Sequence, residues 1–95
     1  MSDQKLEMTA LIMAKPGKGK ELKAALKEVV EKTKTEPGCI EFRIFEDLDN
    51  PEKFVLWEVF RDRQALTEHI ETDYTRKYFA SGLIQNTHVM KLRSF

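Results

Sequence analysis

Apolar and polar positions alternate with a changing period along this chain, and each change of period marks an element. Residues 6–14, LEMTALIMA, form a mostly apolar run that ends at Lys15-Pro16-Gly17-Lys18-Gly19, which reads as a strand stopped by a Pro/Gly turn. Over residues 20–35 the period becomes helical. Leu22, Ala25, Leu26, Val29 and Val30 share one face, Lys20, Lys23, Lys27, Glu31 and Lys34 the other, and Glu36-Pro37-Gly38 ends the helix. From Cys39 to Glu46 the period is two: Ile40, Phe42 and Ile44 face one way, Glu41, Arg43 and Phe45 the other. Asp49-Asn50-Pro51 turns the chain into a further strand, Lys53 to Phe60.

That strand is apolar on both faces. Phe54, Leu56, Glu58 and Phe60 share one, Val55, Trp57 and Val59 the other, so it needs cover on both sides. Helices supply one cover, and the sheet of a second subunit can supply the other. Asp62 opens a second helix with Ala65, Leu66, His69 and Ile70 on one face. Asp73 is expected to cap a short third helix bearing Tyr74, Tyr78 and Phe79, ended by Gly82. Gln85 to Arg93 reads as the last strand, with His88, Met90 and Leu92 alternating. The order β-α-β-β-α-β predicts an α+β, ferredoxin-like fold, with helices on one face of an antiparallel sheet and one domain over 1–95.

The 95 residues would bury roughly two thirds of their unfolded surface, an adequate but thin core that a partner subunit would reinforce. Sixteen basic residues balance sixteen acidic ones, which removes the electrostatic argument for nucleic acid or an anionic membrane as partner. No apolar run is long enough to span a bilayer, and MSDQKLE does not read as a signal peptide. The single cysteine, Cys39, suits a reducing compartment, so a cytoplasmic location is expected.

Candidate chemistry centres on His69, which the helical period turns toward the sheet beside Leu66 and Ile70. It is either a general base for a phenol or enol or a structural histidine bonded to backbone groups. Glu58, mid-strand among apolar neighbours, must pair, hydrogen-bond or hold a proton. It either orients His69 or a substrate hydroxyl, or pairs with Arg61, Arg76 or Lys91. Tyr74 and Tyr78 stand four residues apart, on one helical face. With Phe60 and Phe79 they are either the lining of an aromatic-binding cavity or simply core. Trp57, on the face opposite Glu58, is read as an interface anchor. No His or Cys pair has metal-ligand spacing, and the P-loop, nucleotide-binding and nucleophile-elbow patterns are absent, so neither metal nor cofactor is expected.

In this order, Pro16-Gly17-Lys18, Thr33, Glu36-Pro37-Gly38-Cys39, Asp49-Asn50-Pro51, Phe54, Glu58, Asp62, Ala65-Leu66, His69 and Phe79 resemble the antibiotic biosynthesis monooxygenase family of small dimeric α+β barrels. The resemblance covers nearly the whole chain. It implies two ferredoxin-like subunits joined sheet to sheet through Val55, Trp57 and Val59, and a pocket between sheet and helices in each. It also implies cofactor-independent oxidation of a small phenolic or quinol compound. His69 would be the base, Glu58 a pocket acid and Tyr74 a hydrogen-bonding wall, with Leu56, Phe60, Tyr78 and Phe79 against the substrate. Two positions depart from many relatives: Phe60 stands where they carry Trp, and Thr72-Asp73-Tyr74 where they carry a second histidine. The haem-degrading branch has an Asn on its first strand, absent here. An isomerase or lyase acting on a small carbonyl metabolite, and a metabolite-binding dimer without turnover, are the competing expectations.

Overall fold

A computed structural model describes residues 4–95. The elements run β1 (Leu6–Ala14), α1 (Gly19–Thr33), β2 (Cys39–Asp47), β3 (Asn50–Phe60), α2 (Arg63–Ile70), α3 (Asp73–Phe79) and β4 (Ile84–Leu92). The four strands form one antiparallel sheet in the order β2-β3-β1-β4, so the first and third strands are central, as the ferredoxin-like reading requires.

Register divides the sheet into two chemically different faces. On the helix-covered face the cross-strand rows are Phe42–Glu58–Met8–Lys91, Ile44–Leu56–Ala10–Val89 and Glu46–Phe54–Ile12–Thr87. On the other face they are Glu41–Val59–Glu7–Leu92, Arg43–Trp57–Thr9–Met90 and Phe45–Val55–Leu11–His88. The core lies under the first set, where Leu22, Leu26 and Val29 of α1 pack on Ala10, Ile12, Phe42, Phe54 and Phe60. Among the described residues no helix covers the second set. Leu11, Phe45, Met90 and Leu92 remain exposed there, and Trp57 is half-buried with its indole N–H donating to Glu7 Oε2 at 2.8 Å.

The helix boundaries follow local chemistry. Gly17, at φ +79°, makes the turn out of β1. Asp62 accepts the backbone N–H of Ala65 at 2.9 Å and so caps α2. The expected cap of α3 moves by one residue. Thr72, not Asp73, holds it by accepting the Thr75 N–H at 3.3 Å, and the same hydroxyl donates to His69 O at the end of α2. One threonine therefore joins two short helices at a fixed angle. Ile70, expected to share the buried face of α2 with Ala65 and His69, lies beyond it and is exposed. Among the described residues no helix is long and apolar enough to cross a membrane.

Candidate active site

The site begins with a close approach. A Cβ built on Gly38 would stand 2.4 Å from Ala65 Cβ, so only a residue without a side chain lets α2 settle on the turn before β2. Gly38 O also accepts the Arg61 N–H at 2.8 Å, fixing the end of β3 to the same turn. One helical turn after Ala65 comes His69, and the seated helix places its ring beside Glu36, two residues before Gly38. His69 Nδ1 is 3.0 Å from Glu36 Oε2, and the Tyr74 hydroxyl donates to the same oxygen.

His69 is 5% exposed. Its ring packs against two aromatic rings, 5.0 Å from Phe60 and 5.3 Å from Phe42 by centroids. Among the described residues its Nε2 has no hydrogen-bond partner, and the residue lines a cavity of about 210 Å³ between sheet and helices. Ala10 helps create that cavity. Its methyl occupies the middle of the floor row, between Leu56 and Val89, where a longer side chain would fill the space.

Glu58 lines the same cavity. It is 7% exposed, and among the described residues no donor reaches its carboxylate. Arg61 turns instead to Asp62 at 3.3 Å, and neither Arg76 nor Lys91 pairs with Glu58. Burial alone pushes the Glu58 carboxyl up to about 7, because the charged form has lost its water and gained no partner. The cavity thus holds an imidazole and a carboxyl that is largely protonated below neutral pH. Tyr78 adds to the polar set: among the described residues its buried hydroxyl has no partner, and burial raises its pKa to about 12.

Five of the residues singled out in the sequence meet at this cavity: Leu56, Glu58, His69, Tyr78 and Phe79, the last at its exposed rim with Ile70 and Val89. Two do not. Phe60 is fully buried and supports His69 from below, outside the cavity lining. Tyr74 turns away toward α1, because its hydroxyl is drawn to Glu36 and Lys32 O. The carboxylate expected to orient His69 was Glu58, but Glu36 makes that contact. Glu36 reads in the sequence as part of a helix stop. The available signal was an acidic side chain beside a Pro-Gly turn, with nothing local for it to bind.

A larger groove of about 560 Å³ runs between α1 and β2. It is open, and Lys23, Lys27, Glu31, Lys34 and Glu46 lie along it, with no buried titratable group. The smaller cavity is the candidate site because His69 and Glu58 meet there, both buried and, on the side facing it, unpaired among the described residues. No group of three or more His, Cys, Asp or Glu among the described residues is arranged to hold a metal ion.

A family model for antibiotic biosynthesis monooxygenases matches residues 6–81. The chain belongs to that family. An uncharacterised protein of Synechocystis is 32% identical over 77 residues, 81% of this chain; the chain spans about half the length of that relative, 52%. The Bacillus subtilis "Putative monooxygenase YcnE" is 28% identical over 75 residues, 79% of either chain. A solved structure from Pseudomonas aeruginosa superposes with a TM-score of 0.92 at 26% identity, covering 100% of this chain and 98% of that one. For this family member, the match spans β1 through α3, the elements that position Glu36, Glu58, His69 and Tyr74.

Proposed function

We propose that this protein is a cofactor-independent monooxygenase acting on a small phenol or quinol. The observation that carries the reading is the pairing, in one apolar cavity, of a buried imidazole with a buried, unpaired carboxyl. Size supports it. A cavity of roughly 150 Å³ admits benzene, and drug-sized ligands need about 300 Å³ or more, so 210 Å³ suits one or two fused rings.

In this proposal His69 Nε2 accepts a proton from a quinol hydroxyl. The quinolate passes one electron to O₂, and the resulting superoxide and semiquinone combine at a ring carbon to give a hydroperoxide. That species loses water and becomes a hydroxyquinone. One oxygen atom of O₂ enters the ring and the other leaves as water, so quinol and O₂ account for all atoms and electrons. Glu58, largely protonated below neutral pH, supplies the proton to the departing oxygen. The apolar lining excludes water from the quinolate.

Oxygen uptake with a panel of benzo- and naphthohydroquinones tests the reading. Uptake should fall about 10²–10⁴-fold in His69→Ala. Uptake that the substitution leaves unchanged would remove His69 from the mechanism. Deuterium entering a carbonyl compound from solvent, with no O₂ consumed, would favour an isomerase built on the same acid and base.

The uncovered sheet face supports a homodimer in which Val55, Trp57 and Val59 meet a second sheet across a two-fold axis. The row Phe45–Val55–Leu11 presents contiguous apolar surface of the kind that marks an interface. Trp57→Asp should give monomer by light scattering; a dimer of undiminished stability would exclude this face.

A further inference from the structure

Glu36 has one carboxylate oxygen with two partners from two different helices. His69 comes from α2 and Tyr74 from α3, and Glu36 itself lies on the turn after α1. A phenol O–H has one proton to give, and the Tyr74 pKa is raised to about 12 by burial and by the Glu36 carboxylate, so its hydroxyl stays a donor across any working pH. Glu36 is therefore the acceptor of that bond. The Glu36 oxygen that accepts the Tyr74 hydroxyl serves as an acceptor, so the ring nitrogen 3.0 Å from it is assigned as the donor. The Lys32 ammonium does not compete for the carboxylate, because it pairs with Glu28 at 3.0 Å.

We propose that Glu36 and Tyr74 are positioning residues that hold neutral His69 with its proton on Nδ1, leaving the Nε2 lone pair for the cavity. The effect on catalysis rests on the reading of His69 as base; the tautomer itself does not. A free neutral imidazole favours the opposite tautomer, with the proton on Nε2, which could not accept a proton from a substrate in the cavity. Glu36 would reverse that preference. It would also face the positive charge that appears on the ring once Nε2 has taken the substrate proton. Tyr74 would keep the carboxylate from rotating out of reach, since Glu36 sits on a turn and not on a rigid element.

Nitrogen-15 shifts of the His69 ring, recorded where the ring is neutral, test the proposal. The wild-type ring should show a protonated Nδ1 and a bare Nε2. Glu36→Ala should move most of the proton to Nε2 and lower kcat for hydroquinone oxidation by about tenfold at least, toward the 10⁴-fold typical of a wrongly protonated catalytic histidine, with KM little changed. Glu36→Gln keeps an acceptor but discards the charge, so it should retain the Nδ1 proton while kcat falls. Tyr74→Phe should behave likewise and more mildly. These last two variants carry the test if Glu36→Ala does not fold. A wild-type ring protonated on Nε2 would overturn the proposal, as would a Glu36→Gln variant with unaltered kcat in an enzyme that His69→Ala inactivates. If the wild-type protein turns over no quinol and the tautomer still moves as described, the reaction assigned above fails while the positioning role stands.

Discussion

Glu58→Gln should stabilise this protein, and by an amount that depends on pH. The carboxyl is 7% exposed, has no partner among the described residues, and titrates near 7 where an ordinary glutamate titrates at 4.5. At about 1.4 kcal/mol per pKa unit, the displacement corresponds to roughly 3 kcal/mol. The sign follows from which state holds the proton. Below pH 4.5 the folded and unfolded chains both carry it, and Glu58 contributes no pH dependence. Between 4.5 and about 7 the unfolded chain has released the proton and the folded chain retains it, so stability falls as pH rises. Above about 7 the folded chain holds an unpaired buried charge and the loss is complete. Glutamine has nearly the same shape and never ionises, so the variant escapes this loss.

Urea unfolding at one fixed protein concentration, for both proteins from pH 4 to pH 8.5, isolates the effect. Taking the difference between them cancels every other titrating group. The two should agree within about 1 kcal/mol at pH 4, and the variant should gain roughly 3 kcal/mol by pH 8. Parallel curves, or a variant less stable at pH 8, would mean that the carboxylate has a partner, and the reasoning about a dry, unpaired acid in the cavity would fail. Oxygen uptake should move the other way: if Glu58 supplies a proton, the more stable variant is the slower one, the usual trade where a site stores unfavourable burial.

Two further outcomes follow from the packing. Gly38→Ala places a Cβ 2.4 Å from Ala65 Cβ. The gain of about 0.4–1 kcal/mol from a stiffer unfolded chain is outweighed by overpacking of about 1–3 kcal/mol, so urea unfolding should show net destabilisation, and the His69 ring nitrogens should report the loss of Glu36. An equally stable variant would show that α2 can shift without cost. Tyr78→Phe removes a buried hydroxyl that has no partner among the described residues and should raise stability by about 1 kcal/mol; a loss would reveal a hidden acceptor.

The fold was readable because its signals are local. The period changes at Pro16-Gly17 and at Glu36-Pro37-Gly38 place the boundaries of the first three elements; β3 starts at Asn50, inside the turn expected at Asp49-Asn50-Pro51; and alternation puts Glu58 and Trp57 on opposite faces, as observed. The second short helix is capped one residue from the expected position because threonine and aspartate both accept a backbone N–H, and neighbours in sequence compete for that role. The site was half readable. Helical spacing turned His69 inward, and strand spacing put Glu58, Leu56 and Phe60 on its side of the sheet. Which of them touch depends on side-chain reach across elements, and there Phe60 proved a support and Tyr74 an outward-turned partner of Glu36.

Glu36 shows most clearly why a one-dimensional reading stops short. Its bond to His69 spans 33 positions, and neither residue carries a pattern that names the other. What joins them is the absence of a side chain at Gly38, which lets Ala65 approach and sets the height of α2 above the turn. The Pro-Gly that ends α1 in the sequence and the Ala that faces inward on α2 are each unremarkable as punctuation and packing. Together they fix where an imidazole meets a carboxylate. If Glu36 sets the His69 tautomer as proposed, the contact that closes the core also selects the nitrogen left for the cavity, and stability at Gly38 and chemistry at Nε2 should fail together.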